Sequence, residues 1–212
     1  MPVRANREYR NMEMRVLGDS TDERIVTGYA STFDEPYELF SGDGYRFMEV
    51  VEREAFDNTD MSDVIMQYNH AGRVFARTRN NTLEVTIDDK GLFIRADLGG
   101  TDIGRQLYEE IDGGYTDRMS FGFTVNGEWE ESEKTPEGVR IWTRHITSVE
   151  KLYDVSAVSF PANEGTSIEA DATVRSIGEL TDGVIEKFKA ELLSEQRLDV
   201  ERRLAEIRAK GL

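Results

Sequence analysis

The segment from Thr82 to Leu98, TLEVTIDDKGLFIRADL, most narrowly limits what this chain can fold into. Apolar and polar residues alternate on both sides of a short turn, Asp88-Asp89-Lys90-Gly91. The alternating apolar residues are Leu83, Val85 and Ile87 before the turn and Leu92, Ile94, Ala96 and Leu98 after it. Because successive side chains of a strand point to opposite faces, each half presents one apolar face. The segment therefore predicts an antiparallel β-hairpin, which further strands must cover.

Several other segments also have strand-like patterns. A strand is predicted from Arg24 to Phe33, and the loop predicted after it is punctuated by Pro36, Gly42 and Gly44. A second strand is predicted from Val64 to Tyr68. Three more strand predictions fall on RMSFGFTVNGEWE, GVRIWTRHI and KLYDVSAVSF.

One short helix is predicted among these strands. Thr101 or Asp102 can cap it, and Gly113-Gly114 ends it. Its apolar residues, at four-residue spacing, are Ile103, Leu107 and Ile111. The pattern indicates an α+β fold that is mainly antiparallel β, a small barrel or sandwich with few flanking helices.

The composition changes near Gly165, which divides the chain into three predicted parts. These are a folded domain over residues 1–165, a linker of small and polar residues over 166–178, and a helical tail over 179–212. An imperfect apolar stripe from Val184 to Ile207 predicts an amphipathic C-terminal helix. Its heptad pattern breaks at Glu195, so packing on the body or on a neighbouring subunit explains the stripe as well as a coiled coil does.

Composition and charge exclude several function classes. A formal net charge of −16 repels nucleic-acid phosphates, so we expect no nucleic-acid partner. The absence of cysteine excludes a cysteine nucleophile, disulfides and thiolate metal ligands. No segment has the apolar length of a signal peptide or membrane span, which suggests a soluble intracellular protein. The basic N-terminus, with Arg4, Arg7, Arg10 and Arg15, is interpreted as a solvated strand or arm.

The strand RMSFGFTV contains the first candidate for chemistry. Its large apolar residues share one face, while Ser120, Gly122 and Thr124 share the other. Ser120 is either a solvent-facing polar residue or a nucleophile beside a glycine that leaves room for a substrate. A serine nucleophile needs a base, and the chain has only two histidines, His70 and His145. The residues alone do not decide between these interpretations.

A series of short motifs resembles one known family. In chain order they are GYASTF, EREAFDNT, the Asn69-His70 pair, the hairpin with GL on its return strand, SFGF, and DVS leading to PAN. Together they resemble the tailed-phage prohead proteases, capsid maturation peptidases related in fold to the herpesvirus protease assemblin. The resemblance extends over roughly Ile25 to Ala170. It implies a small herpesvirus-protease-like β-barrel.

The resemblance also implies which residues form the site. The family's histidine corresponds to His70, its serine nucleophile to Ser120 and its acidic third member to Asp154. The family often has glutamate at that third position, and herpesvirus relatives use a second histidine. His145 is therefore an alternative third member, and Glu150, four residues before Asp154, is a further candidate. Gly122 is expected to give access to an extended substrate added as a strand.

The implied function is a serine endopeptidase that processes scaffold and major capsid protein, and itself in some cases, inside the prohead within the host cytoplasm. The family resemblance implies a homo-oligomer and requires no metal or organic cofactor. The alternative is a noncatalytic scaffolding or capsid-assembly protein that retains the protease fold. An intact Ser120 and His70 in their motifs favour the protease.

Overall fold

A computed structural model describes residues 7–16, 24–42 and 44–159, together with the isolated positions Arg197 and Glu201. The predicted linker over 166–178 and all but two positions of the predicted tail lie outside these residues. The described strands are β1 (Glu8–Val16), β2 (Ile25–Thr32), β3 (Tyr37–Gly42), β4 (Tyr45–Val51), β5 (Ile65–Tyr68), β6 (Ala71–Arg77), β7 (Leu83–Ile87), β8 (Gly91–Asp97), β9 (Arg118–Lys134) and β10 (Arg140–Val158). One α-helix, α1 (Asp102–Asp112), and two short 3₁₀ turns, Arg53–Phe56 and Thr78–Asn80, complete this part of the chain.

The strands form one mixed, mostly antiparallel sheet. Its main path runs β3-β4-β10-β9-β1-β2-β8-β7, and β5 joins it through β10 and carries β6. Strand β10 is parallel to both β4 and β5, whereas the other pairs are antiparallel. The pairing found among the described residues leaves β3 and β7 at the ends of an open path, so it does not give the closed barrel that was expected.

The predicted hairpin and helix are both confirmed. Strands β7 and β8 pair antiparallel from Leu83↔Ala96 to Ile87↔Leu92. The Thr101 hydroxyl caps α1 by accepting a hydrogen bond from the Gly104 N–H at 3.1 Å. Gly113 is the C-cap, and Gly114 follows with φ +72.

Two sequence predictions were wrong about strand boundaries. The predicted loop containing Pro36, Gly42 and Gly44 instead forms the β3–β4 hairpin, with a small apolar cluster of Leu39, Phe47 and Trp142. The predicted strands GVRIWTRHI and KLYDVSAVSF both fall on one continuous strand, β10, which runs from Arg140 to Val158. It pairs along β9 with register irregularities between Ile146 and Asp154, which let a long strand bend without ending.

Over Glu8–Val16 the basic N-terminal segment is a strand of the sheet and not a solvated arm. Strand β1 lies inside the sheet between β9 and β2, and Arg10 is 2% exposed. Arg10 forms a two-pronged ion pair with the fully buried Glu49, in which Nη2 donates to Oε2 at 2.6 Å. The Arg144 guanidinium donates to the same carboxylate at 3.0 Å, and Tyr37 donates its hydroxyl to it. Burial, and then the neighbouring Glu49 charge, raise the pKa of Tyr37 well above its ordinary value.

Replacing Glu49 should therefore destabilise the fold strongly. Glu49→Gln removes the buried carboxylate that pairs with Arg10 and shares Arg144 with Glu128. We expect it to lower the free energy of unfolding by about 3–5 kcal/mol. Urea denaturation measures the loss. Glu38→Gln is the matched control on β3, because the Glu38 side chain is 42% exposed and its ion pair with Arg46 spans 3.9 Å. A loss for Glu49→Gln no larger than that of the control would contradict the structural role of this network.

Among the described residues, no helix is both long enough and apolar enough to span a bilayer.

Candidate active site

Ser120 lies in the middle of the sheet. Strand β9 pairs there with β1 on one side and β10 on the other, with Asn11 and Ser156 as the residues opposite Ser120. Ser120 has 0% exposed surface, so it is not the solvent-facing serine of the first interpretation. A buried hydroxyl needs a hydrogen-bond partner, and the neighbouring β5–β6 turn supplies one.

His70 is presented by a two-residue turn. Tyr68 and Ala71 pair across the β5–β6 hairpin, and Asn69 and His70 between them both have positive φ, 49° and 54°. Two positive φ values are the feature of a type I′ turn, which favours Asn at the first position but Gly at the second. A histidine in this backbone conformation is strained, and the surrounding structure must hold it there.

The end of β10 supplies that support. The Asn69 N–H donates to the Ala157 carbonyl at 2.9 Å, and the Ser159 N–H donates to the Asn69 side-chain oxygen at 3.1 Å. The Tyr68 hydroxyl also contacts the Ser159 hydroxyl. Asn69 therefore fixes the position of the turn relative to β10, and the His70 ring points toward the sheet.

The three side chains singled out by their motifs form one chain of contacts. His70 Nε2 lies 2.7 Å from Ser120 Oγ, and His70 Nδ1 lies 2.5 Å from Asp154 Oδ1. With the Nδ1 proton directed at the carboxylate, Nε2 is left to accept the Ser120 hydroxyl proton. His70 and Asp154 are 2% and 1% exposed, respectively. This order of hydroxyl, imidazole and carboxylate is the arrangement that activates a serine nucleophile.

The carboxylate has further neighbours. The Ser156 hydroxyl donates to Asp154 Oδ1 at 2.9 Å, and Ser156 is fully buried. The Arg7 guanidinium lies 3.8 Å from Asp154 Oδ2 and stacks over the Tyr153 ring, 3.5 Å from its centroid. Within the part of the chain that the structure describes, Oδ2 accepts no hydrogen bond. The carboxylate is thus oriented through Oδ1 and has a positive charge beside Oδ2.

Comparison with known proteins shows the family of this chain. A family model for the caudovirus prohead serine proteases matches residues 10–181. The chain belongs to this family. The prohead protease of Enterobacteria phage HK97 is 26% identical over 202 residues, covering 79% of this chain and 87% of the relative. The bacteriophage T4 capsid assembly protease aligns structurally over 74% of this chain and 98% of its own, with a TM-score of 0.40 and 13% identity. Membership of the family makes the protein a serine peptidase of phage capsid maturation.

The two alternative third members lie in other surroundings in this prohead protease. His145 stacks on Trp129 with ring centroids 3.8 Å apart, and its ring nitrogens face Glu52 and Glu131 at 3.6 Å and 3.2 Å. The side chain of Glu150 is exposed and lies 3.5 Å from the Thr124 hydroxyl. Of the three candidates, Asp154 is the residue whose carboxylate contacts His70.

Gly122 lies in a different environment from the one expected. It is buried, with Tyr9 of β1 and Asp154 of β10 on its two sides. Because both edges of β9 are occupied there, an extended substrate cannot add to the protease as a strand beside Gly122 unless β1 or β10 leaves. Ser120 and His70 are almost completely buried as well.

Sequence reasoning about the protease missed two site residues. Ser156 belongs to the DVS motif, but nothing in the sequence assigns its hydroxyl to Asp154. Arg7 was visible only as part of a basic stretch, because its proximity to Asp154 depends on the pairing of β1 with β9.

Proposed function

We propose that the protease cleaves peptide bonds by acyl transfer to Ser120, with His70 as general base and Asp154 as the residue that orients the imidazole. The observation that carries the proposal is the pair of contacts at His70, 2.7 Å to Ser120 Oγ and 2.5 Å to Asp154 Oδ1. A general base must lie within hydrogen-bond reach of the proton it removes, and Nε2 meets that condition.

The chemistry follows from the positions of the protons. As Ser120 Oγ attacks the carbonyl carbon, its proton passes to His70 Nε2, and the imidazolium is stabilised by the Asp154 carboxylate. The tetrahedral intermediate collapses when the C–N bond breaks and Nε2 returns the proton to the leaving amine. Water then replaces the amine and attacks the acyl carbon as it loses a proton to Nε2; the bond to Ser120 Oγ breaks, and Nε2 returns that proton to Oγ.

Capsid-related proteins are the expected substrates. The family and the HK97 relative act in proheads, and we propose that this protease processes the major capsid protein, the scaffold and its own chain in the prohead interior. Homo-oligomerisation remains a prediction from the resemblance.

Co-expression tests the proposal. Wild type should shorten the cognate major capsid protein on a denaturing gel, whereas Ser120→Ala should leave it full-length with the prohead assembled. If both leave the capsid and scaffold proteins uncut, the chain is instead a noncatalytic assembly protein that keeps the fold.

Removing the Ser156 hydroxyl is expected to reduce activity only in part. Ser156→Ala removes a hydrogen bond to a charged group that is worth about 1.5–3 kcal/mol. If half or more of that free energy is used to orient Asp154, kcat should fall by about 10-fold with little change in KM. The measurement is steady-state cleavage of a quenched fluorescent peptide.

A second buried serine provides the control for Ser156→Ala. The Ser31 hydroxyl donates to the Thr32 carbonyl at 3.2 Å and Ser31 is 2% exposed, so Ser31→Ala removes a buried hydroxyl whose hydrogen bond is to the backbone and not to Asp154. Equal kcat values for the two variants would show that the Ser156 hydroxyl does not orient Asp154 for catalysis.

A further inference from the structure

A pocket lies directly beside the turn that carries His70. It has a volume of about 380 Å³, within the range of sites that bind ligands, and its wall includes Tyr68 and Ala71, the two residues that flank Asn69-His70. Its opposite wall is one face of α1. The pocket is therefore continuous with the backbone that positions the proposed general base.

An irregularity in the β5–β6 hairpin borders this pocket. Between the pairs Met66↔Ala76 and Tyr68↔Ala71, Gln67 alone faces the four-residue stretch 72–75 on β6. Gly72 has φ +76, which favours glycine, and its carbonyl accepts a hydrogen bond from the Gln67 side-chain amide, Nε2, at 3.4 Å. The bulge is thus fixed by the sequence, and bulges of this kind are frequent next to active sites.

The lining of the pocket indicates what it can bind. Phe75 of the bulge and Ile103 and Leu107 of α1 supply an apolar floor. Arg73 and Glu110, which carry charges of opposite sign, both line the pocket and are exposed. Their charges cancel, so the pocket has no net charge. An apolar side chain is stabilised by such a floor, whereas a charged one would lose hydration without a dedicated partner.

We propose that this pocket binds a large apolar side chain of the substrate polypeptide, on a residue that flanks the scissile bond. The inference rests on the proposed function, since it takes His70 as the place where the bond is cleaved. Because the pocket wall and the His70 turn share one backbone segment, a side chain seated in the pocket holds its own main chain beside that turn. The pocket would then determine which bonds are cut.

A pair of tryptophan substitutions on α1 tests this inference. Gln106 is exposed and lines the pocket, so Gln106→Trp places an indole ring in it. Glu109 is exposed on the same helix but does not line the pocket, so Glu109→Trp is the matched control. Each variant and wild type digests reduced, unfolded casein, and mass spectrometry maps the cut sites. Labelling of Ser120 by a small fluorophosphonate is measured separately and gives the fraction of molecules with a reactive Ser120.

Wild type and Glu109→Trp should show large apolar residues concentrated at one position within a few residues of the cut. Gln106→Trp should cut those bonds at least about 10-fold more slowly per labelled site, the usual size of discrimination in an apolar pocket, while still cutting bonds with small residues at that position. The inference is overturned if Gln106→Trp keeps the same preference as Glu109→Trp. It is equally overturned if labelled wild type shows no apolar preference or leaves casein uncut. Absence of labelling in all three proteins would instead overturn the proposed function itself.

Discussion

Ser120→Ala, His70→Ala and the double variant should each lose about 10⁴- to 10⁶-fold in kcat, and the double variant should lose no more than either single one. Nucleophile and base act in one step, so removing either removes the whole contribution of the pair. The 2.7 Å contact between His70 Nε2 and Ser120 Oγ is the structural reason to expect this dependence.

Single-turnover cleavage of a quenched peptide, normalised to folded protein by thermal melting, measures these losses. Ser31→Ala is a control for a buried serine outside the site. Losses that multiply in the double variant would show that the two residues contribute to separate steps.

Asp154→Asn should slow cleavage by about 10⁴-fold while the fold is retained, because an amide of the same shape replaces the carboxylate. The amide has no charge to stabilise the imidazolium, and it can present an N–H to His70 Nδ1 and so favour the unproductive tautomer. The contact of 2.5 Å between His70 Nδ1 and Asp154 Oδ1 makes the imidazole sensitive to this change.

His145→Gln and Glu150→Gln are the comparison variants for Asp154→Asn. The former loses a ring that stacks on Trp129, and the latter changes an exposed side chain, so both should keep kcat within a few-fold of wild type. If His145→Gln proves the slower enzyme, the third role belongs to His145 and the site resembles the herpesvirus arrangement.

Local patterns allowed part of the fold to be predicted. The β7–β8 hairpin and α1 depend on contacts between near neighbours in sequence, so alternation, turn residues and caps were sufficient to predict them. Strand β1 was different: its Arg10 is buried because a partner 39 residues away, Glu49, neutralises it. The parallel pairing of β4 with β10 likewise cannot be recognised from the sequence of either segment alone. Long-range pairing, rather than propensity, determined the elements that were missed.

The candidate site was likewise predicted from local sequence only in part. His70, Ser120 and Asp154 were each picked out by a short motif, and the structure brings their side chains into contact. The positive φ of His70 and the approach of Arg7 to Asp154 depend on how β5, β6 and β1 are held by the sheet. A motif indicates which residues are candidates for chemistry, whereas their orientation is set by distant strands.

The central claim is that Ser120 is the nucleophile, and its covalent capture tests this most directly. The protease would be incubated with a biotinylated fluorophosphonate, digested, and its peptides examined by mass spectrometry. We predict one adduct, on the peptide that contains Ser120, lost in Ser120→Ala and reduced by orders of magnitude in His70→Ala. An adduct on another serine, or labelling of Ser120 that His70→Ala leaves unchanged, would contradict the account.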